Sequence, residues 1–248
     1  MIKRSIKKGF SLAEVLITLT VIGIVAAITV PIIHKSADDE VTVAKVKKFH
    51  STMSSAIARA VAENGSVMGW KYNKYGEAWN NESAEKFWAY LKPYITVMRD
   101  DCGPRECYNP VSMKLLNGES WSASYGTDIR YKKIVLGDGS VFWFRTKNSA
   151  SNKCPVEVED PNCIGFWYDV NGDKAPNTLG KDIFTFHLNL EKYHPAGSTS
   201  VTEYIPYFGP SEVAGKVNEC INDGASDHRG WTCAAYILKN GNMKYLDE

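Results

Sequence analysis

Residues 1–33 read MIKRSIKKGFSLAEVLITLTVIGIVAAITVPII. A basic leader, Met1 to Gly9, carries Lys3, Arg4, Lys7 and Lys8. An apolar run of about 24 residues follows, and at about 1.5 Å rise per residue it spans the ~30 Å hydrocarbon core of a bilayer as a helix. Its single charge is Glu14. A carboxylate one turn into a membrane helix costs about 2.5–3.5 kcal/mol on insertion scales, so its presence calls for a functional reason. A cleaved secretory signal has a shorter apolar region, about 7–15 residues, ending in small residues. A plain membrane anchor explains the length but not Glu14.

The stretch Lys8-Gly9-Phe10-Ser11-Leu12-Ala13-Glu14, with the apolar run behind it, resembles the N-terminus of type IV prepilins and of type II secretion pseudopilins. That family pattern is a basic leader, Gly, an aromatic residue or Met, and Glu at the fifth position after the cut. Pro31 sits where the family often carries a helix-kinking proline. The resemblance covers residues 3–35 and says little about the rest of the chain. It implies that a prepilin peptidase cuts between Gly9 and Phe10 and methylates the new Phe10 amine. It implies that Glu14 pairs with the Phe10 amine of a neighbouring subunit, which offsets the cost of a lone charge in lipid. Other pilin-like subunits, an inner-membrane assembly platform and membrane lipid are the implied partners, and a separate cytoplasmic ATPase supplies the power.

The leader charges set topology: the positive-inside rule keeps them cytoplasmic and sends the remainder outward. The expected location is the inner membrane, single-pass with the head exported, and then a periplasmic or extracellular filament. The formal charge of the 248-residue chain is +1. Removing the four leader charges leaves about −3 and no large basic patch, so nucleic-acid binding has no support. Beyond the membrane run roughly 210 residues remain, enough for one sizeable core.

Six cysteines fall as Cys102/Cys107, Cys154/Cys163 and Cys220/Cys233. An even count in an exported segment favours disulfides, and the clustering favours local pairs. Reduced structural thiols are the alternative. Zinc has less support, because no Cys-x-x-Cys occurs and the histidines are scattered.

Beyond Ile33 the pattern turns amphipathic. Val46, Phe49, Met53, Ala56, Ile57, Ala60 and Val61 recur at helical spacing, with Lys45, Lys47, Lys48 and Arg59 between them. Asn64-Gly65 is the expected stop. The expected organisation is a leader at 1–9, an assembly helix at 10–33, its amphipathic continuation at 34–65 and an exported head at 66–248. Within the head, 66–81 reads as a loop with aromatic anchors Trp70, Tyr72, Tyr75 and Trp79, and a short helix covers about 83–92. A hairpin joins 131–136 to 141–144 across Gly137-Asp138-Gly139. Further strands are expected at 165–169 and 182–187, a short helix at 213–221, and a terminal hairpin joining 233–238 to 243–246. The predicted fold is α+β: a long N-terminal helix packed on an antiparallel sheet, the pilin-like arrangement.

The segment from Asp169 to Asp182 sets Asp169, Asn171, Asp173 and Asp182 at mostly alternating positions in a turn-rich loop. Oxygen donors so placed suit a structural calcium ion. The opening matches an EF-hand, but Lys174 replaces the glycine and Gly180 the bidentate glutamate, so this is not one. Calcium loops near the sheet of some pseudopilins support the ion; a connection capped by Asx-turns is the alternative. No catalytic constellation appears, neither Gly-x-Ser-x-Gly nor His-Glu-x-x-His. The reading is a structural pilin-like subunit rather than an enzyme, a minor one given its large head. The rival is an exported enzyme or ligand-binding domain on a prepilin-like anchor.

Overall fold

The structure is a computed structural model that describes residues 10–70, 82–103, 105–110, 112–121, 128–146, 164–193, 203–210, 220 and 229–247. The predicted leader at 1–9, Cys154, Cys163, Tyr72, Tyr75, Trp79 and all of the expected 213–221 helix except Cys220 lie outside those residues. The chain divides into two compact units, Met1–Val41 and Thr42–Glu248.

The described part of the first unit holds the opening part of helix α1 (Leu12–Asn64). Leu12–Val30 is long and apolar enough to cross a membrane, and none of it is buried inside the protein. Helix α1 continues without interruption past Pro31.

In the second unit the amphipathic stripe of α1 does what its spacing predicts. Val46, Phe49, Met53, Ala56, Ile57 and Ala60 are all buried. The helix stops at Asn64 because Gly65 takes a left-handed φ of 74° while its N–H still reaches Val61 O at 2.9 Å. Helix α2 (Glu82–Leu91) follows, burying Ala84, Phe87, Trp88 and Leu91 before Pro93 ends it.

Among the described residues eight strands form two antiparallel sheets. They are β1 (Val97–Arg99), β2 (Met113–Lys114), β3 (Ser120–Trp121), β4 (Lys132–Leu136), β5 (Val141–Thr146), β6 (Ile164–Asp169), β7 (Ile183–Tyr193) and β8 (Glu203–Pro210). The main sheet runs β1-β4-β5-β6-β7-β8, and β2 and β3 form a second, two-stranded sheet. The β4–β5 turn is the expected one, with Gly139 at φ 79° and Leu136 N–H bonded to Ser140 O at 2.9 Å.

The sheet is buried on both faces. Phe142, Phe144, Phe166, Tyr168, Phe184 and Phe186 join α1 and α2 in one core, where Phe49 stacks on Tyr168 at 4.1 Å. The alternate residues Val141, Trp143, Trp167 and Ile183 form a second core with Tyr108, Met113, Leu115, Tyr131 and Leu179, and Tyr108 stacks on Trp143 at 4.3 Å. Every residue of β6 is therefore buried, which its near-continuous aromatic sequence reflects.

The terminal hairpin expectation is corrected. Residues 233–238 lie in helix α3 (Cys233–Asn240), and Lys244–Leu246 is a 3-10 turn. Asn240-Gly241 is not a hairpin turn: Gly241, at φ 71°, caps the helix and donates to Ile237 O at 2.8 Å. The apolar residues Cys233, Ala234 and Ile237 share one buried helical face. A six-residue apolar run does not distinguish that face from a buried strand. Disulfides Cys102–Cys107 and Cys220–Cys233 are formed as expected, the latter tying the start of α3 to its approach.

Candidate functional site

At the start of α1 the chain is fixed by two residues three apart. Ser11 N–H donates to Glu14 Oε2 at 2.8 Å, and Ser11 Oγ donates to the same oxygen at 2.9 Å. In return Glu14 N–H donates to Ser11 Oγ at 3.3 Å. This is a capping box: each residue satisfies a backbone donor that the helix leaves open. The sequence carries its signal, Ser-x-x-Glu before an apolar run, and Ser11 is the functional neighbour that the reading above passed over. Phe10 lies just outside the cap and is 88 % exposed. The carboxylate therefore stands fixed at the first turn, four residues after Phe10.

The second candidate lies in the head, at the connection from β6 to β7. Asp169 ends β6 and is fully buried. Its Oδ2 accepts from Tyr108 Oη at 3.0 Å, and its Oδ1 accepts from Asn171 N–H at 3.0 Å. Asp182 is buried at the other end of the loop. It accepts from Thr178 N–H at 2.6 Å and Asn177 N–H at 2.8 Å, so it closes the turn at 177–182. Asp173 is exposed, and its carboxylate is engaged by Asn109 N–H at 2.8 Å. Three of the four expected side chains, Asp169, Asn171 and Asp182, are thus gathered, and Asp173 reaches out to the 108–110 segment. Among the described residues no three His, Cys, Asp or Glu side chains converge as a metal cage.

Electrostatics single out this pair of carboxylates. Burial, and then the nearby Asp182 charge, push the Asp169 carboxyl up to about 8. Burial also raises Asp182. The Tyr108 hydroxyl is pushed above its ordinary range by burial and by the Asp169 charge. Two buried acids beside each other favour either a shared proton or a cation.

The Asn171 amide favours the neutral turn. With its nitrogen turned inward it donates to Asp169 Oδ1 at 2.7 Å, Lys174 O at 3.2 Å and Gly172 O at 3.3 Å, which closes a neutral turn. With its oxygen turned inward that oxygen would meet only other acceptors and go unsatisfied. Tyr108, sixty-one residues before Asp169, had no signal in the sequence, because only the fold brings it to the loop.

Two family models match the chain. Residues 4–30 match the prokaryotic N-terminal methylation motif. That match, with the apolar helix behind it, is consistent with a type IV pilin-like protein, and the motif itself implies other pilin subunits and prepilin peptidase processing. No curated protein and no solved structure matches the chain. Residues 32–243, nearly the whole chain beyond the membrane run, match a second model, and by that match the chain belongs to a family of unknown function (DUF6613).

Proposed function

We propose that the protein is a minor filament subunit, cut after Gly9, methylated at the Phe10 amine and polymerised through α1 into a pseudopilus or pilus at the inner membrane. The observation that carries this is the capped Glu14 on an otherwise uncovered apolar helix. None of the nineteen residues of Leu12–Val30 is buried among the described residues, and an apolar surface of that extent asks for lipid or for other helices. Glu14 is held ready at the first turn for a positive amine, and the Phe10 amine is the one that processing would create. An assembly platform and a cytoplasmic motor complete this reading.

Mass spectrometry of the membrane-purified protein tests the first step: a chain beginning at methylated Phe10 is expected, and an intact Met1 terminus in cells with active prepilin peptidase overturns it. Glu14→Leu tests the second. Insertion should persist, since a charge leaves the lipid, while recovery in sheared filaments should fall. Normal recovery of Glu14→Leu overturns the pairing.

Calcium in the 169–182 loop belongs to the same reading, as a brace for the head. Asp169, Asn171 and Asp182 would hold it, with Asp173 at the loop's outer side. Two buried carboxylates, Asp169 and Asp182, at the two ends of one loop support it. Calcium should then raise the melting temperature of the protein by mass action, and an identical melting temperature in calcium and in chelator favours the neutral turn.

A further inference from the structure

We infer that Cys102–Cys107 is a thiol–disulfide exchange site, open to a dithiol while the head stays folded, and that its closed form latches Tyr108 onto the 169–182 loop. The inference stands apart from the filament and calcium readings and needs neither.

The two described disulfides differ in access. Cys220 and Cys233 are 1 % and 0 % exposed, so a dithiol reaches neither sulfur while the core stays closed. Cys102 and Cys107 are half-buried, and Asp101, Arg105 and Glu106 around them are exposed. Exchange begins with a thiolate reaching one sulfur of the bond, so access decides which bond reacts.

What the closed bond holds lies inside. Tyr108 follows Cys107 directly and is buried, stacked on Trp143 at 4.3 Å with its hydroxyl donating to Asp169 at 3.0 Å. Asn109 N–H donates to Asp173 at 2.8 Å. Lys133, buried on β4, donates from Nζ to Gly103 O at 3.1 Å and to Glu106 O at 3.4 Å. The ring closed by the disulfide therefore offers two carbonyls to a buried ammonium, and a buried charge without such acceptors is costly. The 102–109 segment is fastened through Lys133, Tyr108 and Asn109 to the sheet and its β6–β7 connection. Val170, next after Asp169, accepts from Lys45 Nζ of α1 at 2.6 Å, so the loop that Tyr108 steadies is itself tied to the long helix.

Local preference does not give the ring this shape. Arg105 and Cys107 have φ of 60° and 62°, a left-handed region that residues with a Cβ enter when their surroundings impose it. Glu106 also accepts from Arg99 Nη2 at 2.7 Å and from Gly103 N–H at 3.2 Å. Both contacts are exposed, and exposed ion pairs hold little. Opening the S–S bond lets positions 105 and 107 relax, which redirects the chain where Tyr108 leaves it. Asp169 then loses its Tyr108 donor.

The exchange balances with the dithiol as reductant. One of its thiolates attacks a sulfur of Cys102–Cys107, which breaks that bond and forms a mixed disulfide. Its second thiolate displaces the chain sulfur and leaves as the oxidised disulfide. Two electrons pass to the chain, and both cysteines take up protons as thiols. The reverse reaction, with an oxidised dithiol as electron acceptor, closes the latch.

The test treats the full chain in detergent with dithiothreitol under native conditions. Thiols are alkylated and mapped at every cysteine, and hydrogen exchange is measured on the same sample. Cys102 and Cys107 should be alkylated while Cys220 and Cys233 are not. Exchange over 168–173, which includes the Asn171 N–H bonded to Asp169, should quicken about tenfold, as in a segment that opens locally, with 233–240 unchanged. The double variant Cys102→Ser, Cys107→Ser should exchange fast over 168–173 from the start and give no further response to dithiothreitol. Sulfurs that resist dithiothreitol until the head is denatured overturn the exchange site. A reduced chain with unchanged exchange over 168–173 overturns the latch, because the bond is then an isolated tie. Equal quickening over 233–240 overturns it too, because the bond is then a staple of the whole head. A dithiothreitol response that persists in the double variant comes from another disulfide and also overturns it.

Discussion

The two units use the same kinds of residue for opposite ends. Leu16, Ile17, Ile22 and Val25, on the first part of α1, are all more than half exposed. Val46, Phe49, Met53 and Ile57, further along the same helix, are buried. The first unit has apolar residues all round and no cover of its own; the second has an apolar stripe and a sheet to receive it. The difference shows where the solvent changes: a helix that is hydrophobic all round belongs in lipid or among other helices, and one with a stripe belongs on a globular core. It also implies that one substitution will have opposite consequences in the two places.

Gly→Ala breaks the comparison most sharply. Gly230 has φ 92°, and a Cβ there would meet the Leu179 carbonyl oxygen and carbon and Leu116 Cβ. That backbone cannot yield without disturbing Leu179, whose N–H bonds to Lys114 O at 2.9 Å. Gly230→Ala is expected to cost about 4 kcal/mol or more, enough to unfold the head. Gly23, in the first unit, has nothing within 4 Å of its Cβ position. Gly23→Ala is expected to leave the head's melting temperature unchanged and to strengthen the local helix by about 1 kcal/mol. Thermal denaturation of both variants in detergent checks the contrast.

Truncation of Phe49 sharpens it. Phe49 touches Phe142, Tyr168, Phe186 and Phe208, with ring centroids 4.1–6.0 Å apart. Phe49→Ala should cost about 3–4 kcal/mol through the cavity it leaves. Leu16→Ala, of similar chemistry on the same helix, should leave head stability unmoved. Equal losses from the two, measured by denaturant titration, would mean that the first unit is covered by the head in solution.

The acid pair in the 169–182 loop gives a pH test. Asp169 titrates near 8 in the folded state against 3.8 unfolded, so the folded protein holds its proton more tightly. That contribution to stability is complete below about pH 4 and is lost progressively as pH rises to about 8. Melting temperature should fall across this window, and Asp169→Asn should flatten the fall. Millimolar calcium should flatten it too if the cation takes the proton's place. A fall that calcium leaves untouched favours the neutral turn.

How much of this was legible depended on whether local sequence or distant chain set each element. The stripe from Val46 to Ala60, helix α2 and the β4–β5 hairpin were legible, because periodicity and turn glycines act locally. Strand β8 was not: Pro206, Gly209 and Pro210 within its eight residues argue against a strand, and they are tolerated because it lies at the sheet edge. Strand β1, three residues long, has no pattern to read. Helix α3 was misread because Asn-Gly serves a helix end as well as a hairpin. At the sites, Ser11–Glu14 was legible in principle. Asp169–Tyr108 was not, because a contact sixty-one residues long is made by the fold.

The smallest expected effect concerns that capping box. Ser11 supplies its N–H and its hydroxyl to Glu14, and its hydroxyl also accepts from Glu14 N–H. Ser11→Ala removes both hydroxyl bonds and keeps the backbone one. An N-cap serine replaced by alanine costs about 1 kcal/mol. Because this cap belongs to the uncovered unit, the loss should stay local. Hydrogen exchange at residues 12–15 in detergent should speed up by roughly fivefold, the rate equivalent of that energy, with no change at residues 42–64. Ser11→Thr should restore protection, since its hydroxyl makes the same bonds. Unchanged exchange in Ser11→Ala would show that the backbone N–H alone holds Glu14. Faster exchange extending past Thr42 would show that the cap stabilises the helix of the head as well, and the sharp division between the two units would then be wrong.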